Sequence, residues 1–217
     1  MGMRSKLITG ILASTISLGG GAAFAQDASP SPSPATIASP AANEIDLSHI
    51  DLTNPDGDIV GVASIMEHGD SVMISITSEG DSGLQPGEHG VHIHETGICD
   101  ADGADPYESA GGHFNPTEHE HGAPDSEDSH AGDLGNLTVE EDGSIHFEIT
   151  TDNISLEQGA ANSLNDADGS SLVIHAGEDD LTSQPSGDSG SREACGVIFP
   201  PNAPAATPEM EEATPIS

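Results

Sequence analysis

The sequence predicts an all-β fold, an antiparallel sandwich or barrel, on three observations. Short β-branched runs recur at close intervals with Gly- and Asp-rich turn signals among them. No stretch carries a long apolar stripe at 3.6-residue spacing, so helices are minor. Aromatic side chains are four Phe and one Tyr with no Trp, so Val, Ile and Leu must build the core. In chain order, Ile59–Met66 and Val72–Thr77 are two strands separated by the hairpin signal His68-Gly69-Asp70. Val91–Glu95 alternates Val and Ile with His. Leu137–Val139 and Ile145–Ile149 flank Glu140-Glu141-Asp142-Gly143, where Asp-Gly marks a tight turn. Leu172–Ile174 and Gly196–Phe199 close the set.

These strands fall within residues 44–199, a length that supports one domain with one core. Ahead of them, residues 1–25 read as an export signal. Arg4 and Lys6 form a basic start, Leu7 to Leu18 an apolar stretch, and Ala23-Phe24-Ala25 a small-x-small cleavage site before Gln26. The apolar stretch is short and rich in Gly and Ser, which favours cleavage over a retained anchor. Residues 26–43 are a Ser/Pro/Ala-rich spacer expected to be disordered, and residues 200–217 repeat that character as an acidic, Pro-rich tail. A secreted or periplasmic location follows. Export permits the chain's two cysteines, Cys99 and Cys195, to pair in an oxidising compartment; two separate thiols are the alternative.

The charge balance excludes several partners. Thirty-eight Asp and Glu stand against three Lys and Arg, a formal charge of −35. Cleavage would remove Arg4 and Lys6, leaving Arg192 alone against those 38 carboxylates, a formal −37. Nothing remains to neutralise nucleic-acid phosphates or to hold an anionic lipid surface.

The chemistry lies in the 11 histidines. His92 and His94, two apart on a strand, point to one face. His113 follows in Gly-Gly-His-Phe-Asn-Pro; then come His119, His121, His130 and Asp133 in a segment without strand character. His175 ends the strand Leu172–Ile174. Imidazoles with one carboxylate suit copper and zinc, whereas magnesium and calcium take oxygen ligands. Surface solubility or loose metal scavenging would not place two histidines on one strand face and a third at another strand's end.

Four segments, in order, resemble the copper/zinc superoxide dismutase family: Gly90 to Glu95 (GVHIHE), Gly111 to Pro116 (GGHFNP), His130 to Asn136 (HAGDLGN) and Gly190 to Ile198 (GSREACGVI). With Leu172–His175 and Asp179-Asp180-Leu181 the likeness covers about residues 44–199. It implies a Greek-key antiparallel β-sandwich or flattened barrel, immunoglobulin-like, with long metal-binding and electrostatic loops. It implies copper ligands His92, His94, His113 and His175, and zinc ligands His113, His121, His130 and Asp133, with His113 bridging the metals. His121-Gly122 matches the family better than His119 does. Asp179 matches the carboxylate that hydrogen-bonds one ligand histidine of each metal. Cys99 and Cys195 match the disulfide that pins a loop to the barrel. His49, His68, His89 and His146 match no ligand and receive no role.

The implied reaction is disproportionation of superoxide to oxygen and hydrogen peroxide, with copper cycling between Cu(II) and Cu(I) and zinc holding the bridge. His113 would take up a proton when copper is reduced. Arg192 stands where the family docks superoxide; its plainer role would be bonding nearby loop carbonyls. Ser186 matches a family threonine lining the same channel. The segment from His175 to Arg192 is shorter than in eukaryotic members and has no Lys, which implies slow encounter with weak or inverted salt dependence. Non-enzymatic copper or zinc storage or delivery is the competing function. The family includes monomers and homodimers, and the sequence does not choose between them.

Overall fold

The computed structural model describes residues 47–124 and 126–202. The leader expected over 1–25, the spacer over 26–43 and all but the first three residues of the 200–217 tail lie outside the described residues. Among the described residues no helix is long and apolar enough to cross a membrane.

The described chain forms eight strands: β1 (Ile50–Thr53), β2 (Ile59–His68), β3 (Ser71–Ser78), β4 (Gly87–His94), β5 (Asp133–Val139), β6 (Ile145–Thr151), β7 (Ser170–His175) and β8 (Arg192–Phe199). A 3-10 turn spans Glu108–Ala110. The strands close into an antiparallel barrel in the order β1-β2-β3-β6-β5-β4-β7-β8, with Thr53 opposite Cys195 at the closure. Strands β4, β5 and β6 are consecutive neighbours, and β7 returns to lie beside β4, which is a Greek key.

Strand β1 was not among the strands expected. Its four residues offer one alternation, Ile50 and Leu52 buried with Asp51 exposed between them, too short a period to register in the sequence. The other strands overrun their expected bounds, except that β4, which starts four residues early at Gly87, stops at His94, one residue short of the expected Glu95. β5 begins at Asp133, β7 reaches His175 and β8 begins at Arg192. Each extension ends on a polar side chain that the site uses.

Alternation builds the core. Ile74 and Ile76 of β3, Val91 and Ile93 of β4, and Leu172 and Ile174 of β7 are fully buried in one cluster that fills the barrel. Each such side chain contributes about 1.5–3 kcal/mol over exposure. A second cluster lies outside the barrel wall, where Val173 and Cys195 pack against Tyr107 and Ala110 of the β4–β5 connection. The Cys99–Cys195 disulfide secures that connection to β8 across 96 residues of sequence. Tyr107 Oη donates to Thr53 O at 2.7 Å, and Ser171 Oγ to Thr96 O at 2.8 Å.

Candidate metal centre

His92 and His94 share the outer face of β4, opposite Val91 and Ile93. They are nevertheless 0% and 1% exposed, because two long connections fold over them. The first of these runs back along the end of β4. Glu95 N donates to Gly112 O at 2.9 Å, Phe114 N to Ile93 O at 2.8 Å, and Ile93 N to Gly132 O at 2.8 Å. Gly132 is required there, since a Cβ on it would stand 2.4 Å from Ile93 O. This pairing places His113, His130 and Asp133 beside His92. His175 arrives from the neighbouring strand β7, whose Val173 faces His92 across the ladder.

Two sets of donors converge. On one side the Nδ1 atoms of His113, His121 and His130 lie 2.8, 3.1 and 3.2 Å from Asp133 Oδ1, and His130 Nδ1 lies 3.4 Å from His113 Nδ1. Tetrahedral zinc with nitrogen and oxygen ligands at about 2.0–2.1 Å has ligand–ligand edges of about 3.3–3.4 Å, so these donors fit zinc. His92 also comes within 4.8 Å of His113, His121 and Asp133, so it borders this set as well, with its Nε2 on Asp179.

On the other side His92, His94, His113 and His175 each offer a nitrogen within 4.8 Å of the rest. His94 Nε2 and His175 Nε2 are 3.4 Å apart. His92 Nδ1 and His113 Nε2 are buried with no hydrogen-bond partner. Two orphaned buried nitrogens would cost about 1–3 kcal/mol each, and a metal bound between them removes that cost. The outward nitrogens are all engaged by acceptors. His92 Nε2 donates to Asp179 Oδ2 at 2.8 Å, His94 Nδ1 to Gly111 O at 3.0 Å, and His175 Nδ1 to Gly190 O at 3.2 Å. A proton held on the outer nitrogen leaves the inner lone pair free for a metal. Asp179, 1% exposed, spans both sets, because its Oδ1 also accepts from His121 Nε2 at 2.9 Å.

The family model described as copper/zinc superoxide dismutase (SODC) matches residues 59–198. The chain belongs to the copper/zinc superoxide dismutase family. Superoxide dismutase [Cu-Zn] 2 of Aquifex aeolicus (strain VF5) is 38% identical over 151 residues, 69% of this chain and 85% of that protein. The superoxide dismutase-like protein YojM of Bacillus subtilis (strain 168) is 39% identical over 155 residues, 70% of this chain and 75% of that one. Among solved structures, a double mutant of a superoxide dismutase-like protein from Bacillus subtilis aligns with TM-score 0.63 and 40% identity, covering 72% of this chain and 99% of that chain. Cu/Zn superoxide dismutase from Brucella abortus aligns with TM-score 0.56 and 31% identity, covering 69% and 97%. The cofactors of the family, copper and zinc, suit the two donor sets.

Electrostatics within this dismutase-family centre favour metal over protons. Burial pushes the His92 and His94 imidazoles well below their ordinary value, and the neighbouring His113 adds to the shift. Burial also lowers His175, to about 4, and His130. Burial alone would raise the Asp133 carboxyl, but hydrogen bonds from His113 and the Gly122 N–H outweigh it and hold the group below the usual range. Neutral imidazoles and one carboxylate are the protonation states that ligation requires.

The remaining expected residues fall around this centre. A cavity of about 460 Å³ opens over His94, His113 and His175, with Glu95, Ser186 and Arg192 on its walls. Arg192 donates to the carbonyl oxygens of Tyr107 and Gly111 while one side faces this cavity, so it bonds the loop and lines the mouth together. His119 is half-buried, with Nδ1 at Ser129 O (3.2 Å), and does not join the converging donors, whereas His121 does. His49, His68 and His146 are exposed. His89, given no role from sequence, is 2% exposed and lodged between His175 O (2.6 Å) and Gln85 O (2.7 Å), backing a copper-side histidine. Its one sequence signal was its place on the strand of His92 and His94, and an expected start at Val91 hid that.

Proposed function

We propose that this chain is a superoxide dismutase, converting two superoxide ions and two protons to oxygen and hydrogen peroxide. One observation carries the reading: His113 faces both donor sets, Nδ1 toward Asp133 and a buried, partnerless Nε2 toward His92, His94 and His175. A storage site has no need of a histidine shared between two metals. When bound, copper supplies the one-electron Cu(II)/Cu(I) couple and zinc a fixed charge that does not change oxidation state.

The chain's residues do the rest. His92, His94 and His175 hold the copper side, their orientations set by Asp179, Gly111 and Gly190. His113, His121, His130 and Asp133 would hold zinc. His113 Nε2 takes up a proton and releases it toward the peroxide, while its Nδ1 stays fixed on the zinc side. Arg192 docks the anion beside His94 and His175, and Ser186 lines the approach. The catalytic domain spans 44–199 after removal of an export leader over 1–25. The Cys99–Cys195 disulfide supports function outside the reducing cytosol.

Pulse radiolysis of the protein loaded with copper and zinc tests the proposal. Catalytic superoxide decay at about one copper and one zinc per chain is expected. Arg192→Ala should lower kcat/KM about 10- to 100-fold with metal content retained, the loss of one charge-assisted hydrogen bond to the anion. Tight stoichiometric metal without turnover would overturn the reading in favour of copper or zinc storage and delivery.

A further inference from the structure

Resting on the two-metal reading, we propose that Gln184 is a positioning residue for zinc, gripping the backbone of His121 from the opposite loop. Gln184 Oε1 accepts from His121 N at 2.9 Å, and Gln184 Nε2 donates to His121 O at 2.9 Å. Both backbone groups of one residue are thus met by one side chain 63 positions away. A primary amide carries a donor and an acceptor side by side and mimics a neighbouring strand; an ionised carboxylate, which only accepts, and an ammonium, which only donates, cannot make this pair.

The fold uses the same device at two other places. Asn136 Nδ2 donates to Asp179 O at 2.9 Å while Asp179 N donates to Asn136 Oδ1 at 2.7 Å. Asn115 and His119 pair in the same way at 2.9 and 3.0 Å. Gln184 differs in what it holds, a residue whose ring points into the zinc-side donor set. The His121 ring is itself fixed at both nitrogens, Nδ1 on Asp133 Oδ1 and Nε2 on Asp179 Oδ1. Asp179 and Gln184 belong to one compact loop, closed by Gly187 N to Ser183 O (2.7 Å) and Asp180 N to Gly187 O (2.9 Å). A single loop therefore holds His121 twice, by its ring and by its backbone. Ring orientation alone leaves the main chain free to carry the imidazole away from the metal, and the amide pair removes that freedom.

Two variants separate positioning from general stability. Gln184→Leu removes both hydrogen bonds to His121, and with them the longer one from Nε2 to Thr182 O (3.4 Å); Gln184→Glu keeps an acceptor for His121 N and loses the donor to His121 O. The fully loaded protein is placed in excess chelator and zinc release is timed. Gln184→Leu should release zinc about 10- to 100-fold faster, the usual effect of losing an outer partner of a ligand, with Gln184→Glu between it and the parent. Copper release and the melting temperature of the metal-free protein should be unchanged. With cobalt(II) loaded in place of zinc, the visible bands of Gln184→Leu should shift, reporting altered ligand geometry. Zinc release within twofold of the parent with unshifted cobalt bands would overturn the proposal. So would loss of zinc and copper together in step with a lowered melting temperature. Neither readout needs superoxide turnover, so an inactive but metal-tight parent would refute the dismutase reading and leave this one standing.

Discussion

Gly187→Ala tests the geometry of the outer carboxylate most directly. Gly187 has φ +67°, and a Cβ there would stand 1.8 Å from Asp179 Oδ1, 2.6 Å from its Cγ and 2.7 Å from His121 Nε2. Asp179 is 1% exposed, so its carboxylate can yield only by leaving its hydrogen bonds to His121 Nε2 (2.9 Å), His92 Nε2 (2.8 Å) and Leu181 N (2.7 Å). Losing an outer partner of this kind lowers metal affinity about 10- to 100-fold, or about 1.4–2.7 kcal/mol. The nearer oxygen serves His121, so zinc should suffer more than copper. Gly69→Ala is the control. Gly69 has the same φ of +67° with nothing within 4 Å of a new Cβ, and its variant pays the backbone term alone, about 1–2 kcal/mol. Competition titration against a chelator, for each metal in turn, measures the affinities, and denaturant unfolding of the metal-free forms measures the backbone term. Zinc affinity of Gly187→Ala within threefold of the parent, or an equal zinc loss in Gly69→Ala, would refute the reasoning.

Three further outcomes are expected. Replacing Cys99 and Cys195 together with Ser should lower the stability of the metal-free protein by about 4–5 kcal/mol in the chain-entropy account of a 96-residue separation; a loss under about 1 kcal/mol in denaturant unfolding would contradict it. For the metal-free protein, stability should fall as pH drops from about 6.5 to about 4: the folded state holds His175 at about 4, so the unfolded chain is protonated first and gains on acidification. His175 alone accounts for roughly 3 kcal/mol, His92 and His94 add to it, and a urea midpoint constant across this range would contradict the assignment. The dismutation rate should change little or rise as ionic strength goes from about 0.01 to 0.15 M, since attractive long-range steering is missing; a steep fall would show that steering exists.

Much of the clustering of these donors was legible because several of them obey local periods. His92 and His94 share a strand face at a spacing of two, and His113 and Asp133 sit in short runs of distinctive residue types. What the sequence hid depends on contacts across long separations. Gln184 reads as one polar residue in a polar loop, and its bond to His121 exists only after two connections fold together. His89 reads as a spare histidine until β4 is seen to begin at Gly87, which places it under the His175 carbonyl. Strand β1 escaped because its period is expressed twice only, while its place in the barrel is enforced by pairing with β2 and β8. Local pattern decides which face a side chain takes; long-range closure decides which faces meet.

If the chain acts as the proposed dismutase, its charge bears on how an anionic substrate would reach the copper-side donors. Among the described residues Arg192 is the only Lys or Arg, so attraction has to be supplied at short range. At about 0.1 M salt the distant carboxylates are screened beyond about 10 Å, and the fixed charges at the cavity mouth govern the last step. The fold spends its covalent cross-link on that arrangement. Arg192 is held by the carbonyls of Tyr107 and Gly111, both in the connection that Cys99 pins to Cys195, three residues beyond Arg192 itself. Gly111 O accepts from His94 Nδ1 as well, so one carbonyl registers the arginine against a copper-side histidine. Of the five N–H groups of a guanidinium, these bonds use one on each terminal nitrogen, Nη1 and Nη2, and the side chain also lines the cavity over His94 and His175. Reduction of the disulfide would therefore loosen the connection that carries the partners of Arg192, His113 and the Gly111 carbonyl on His94, while His92, His94 and His175 would still hang from β4 and β7.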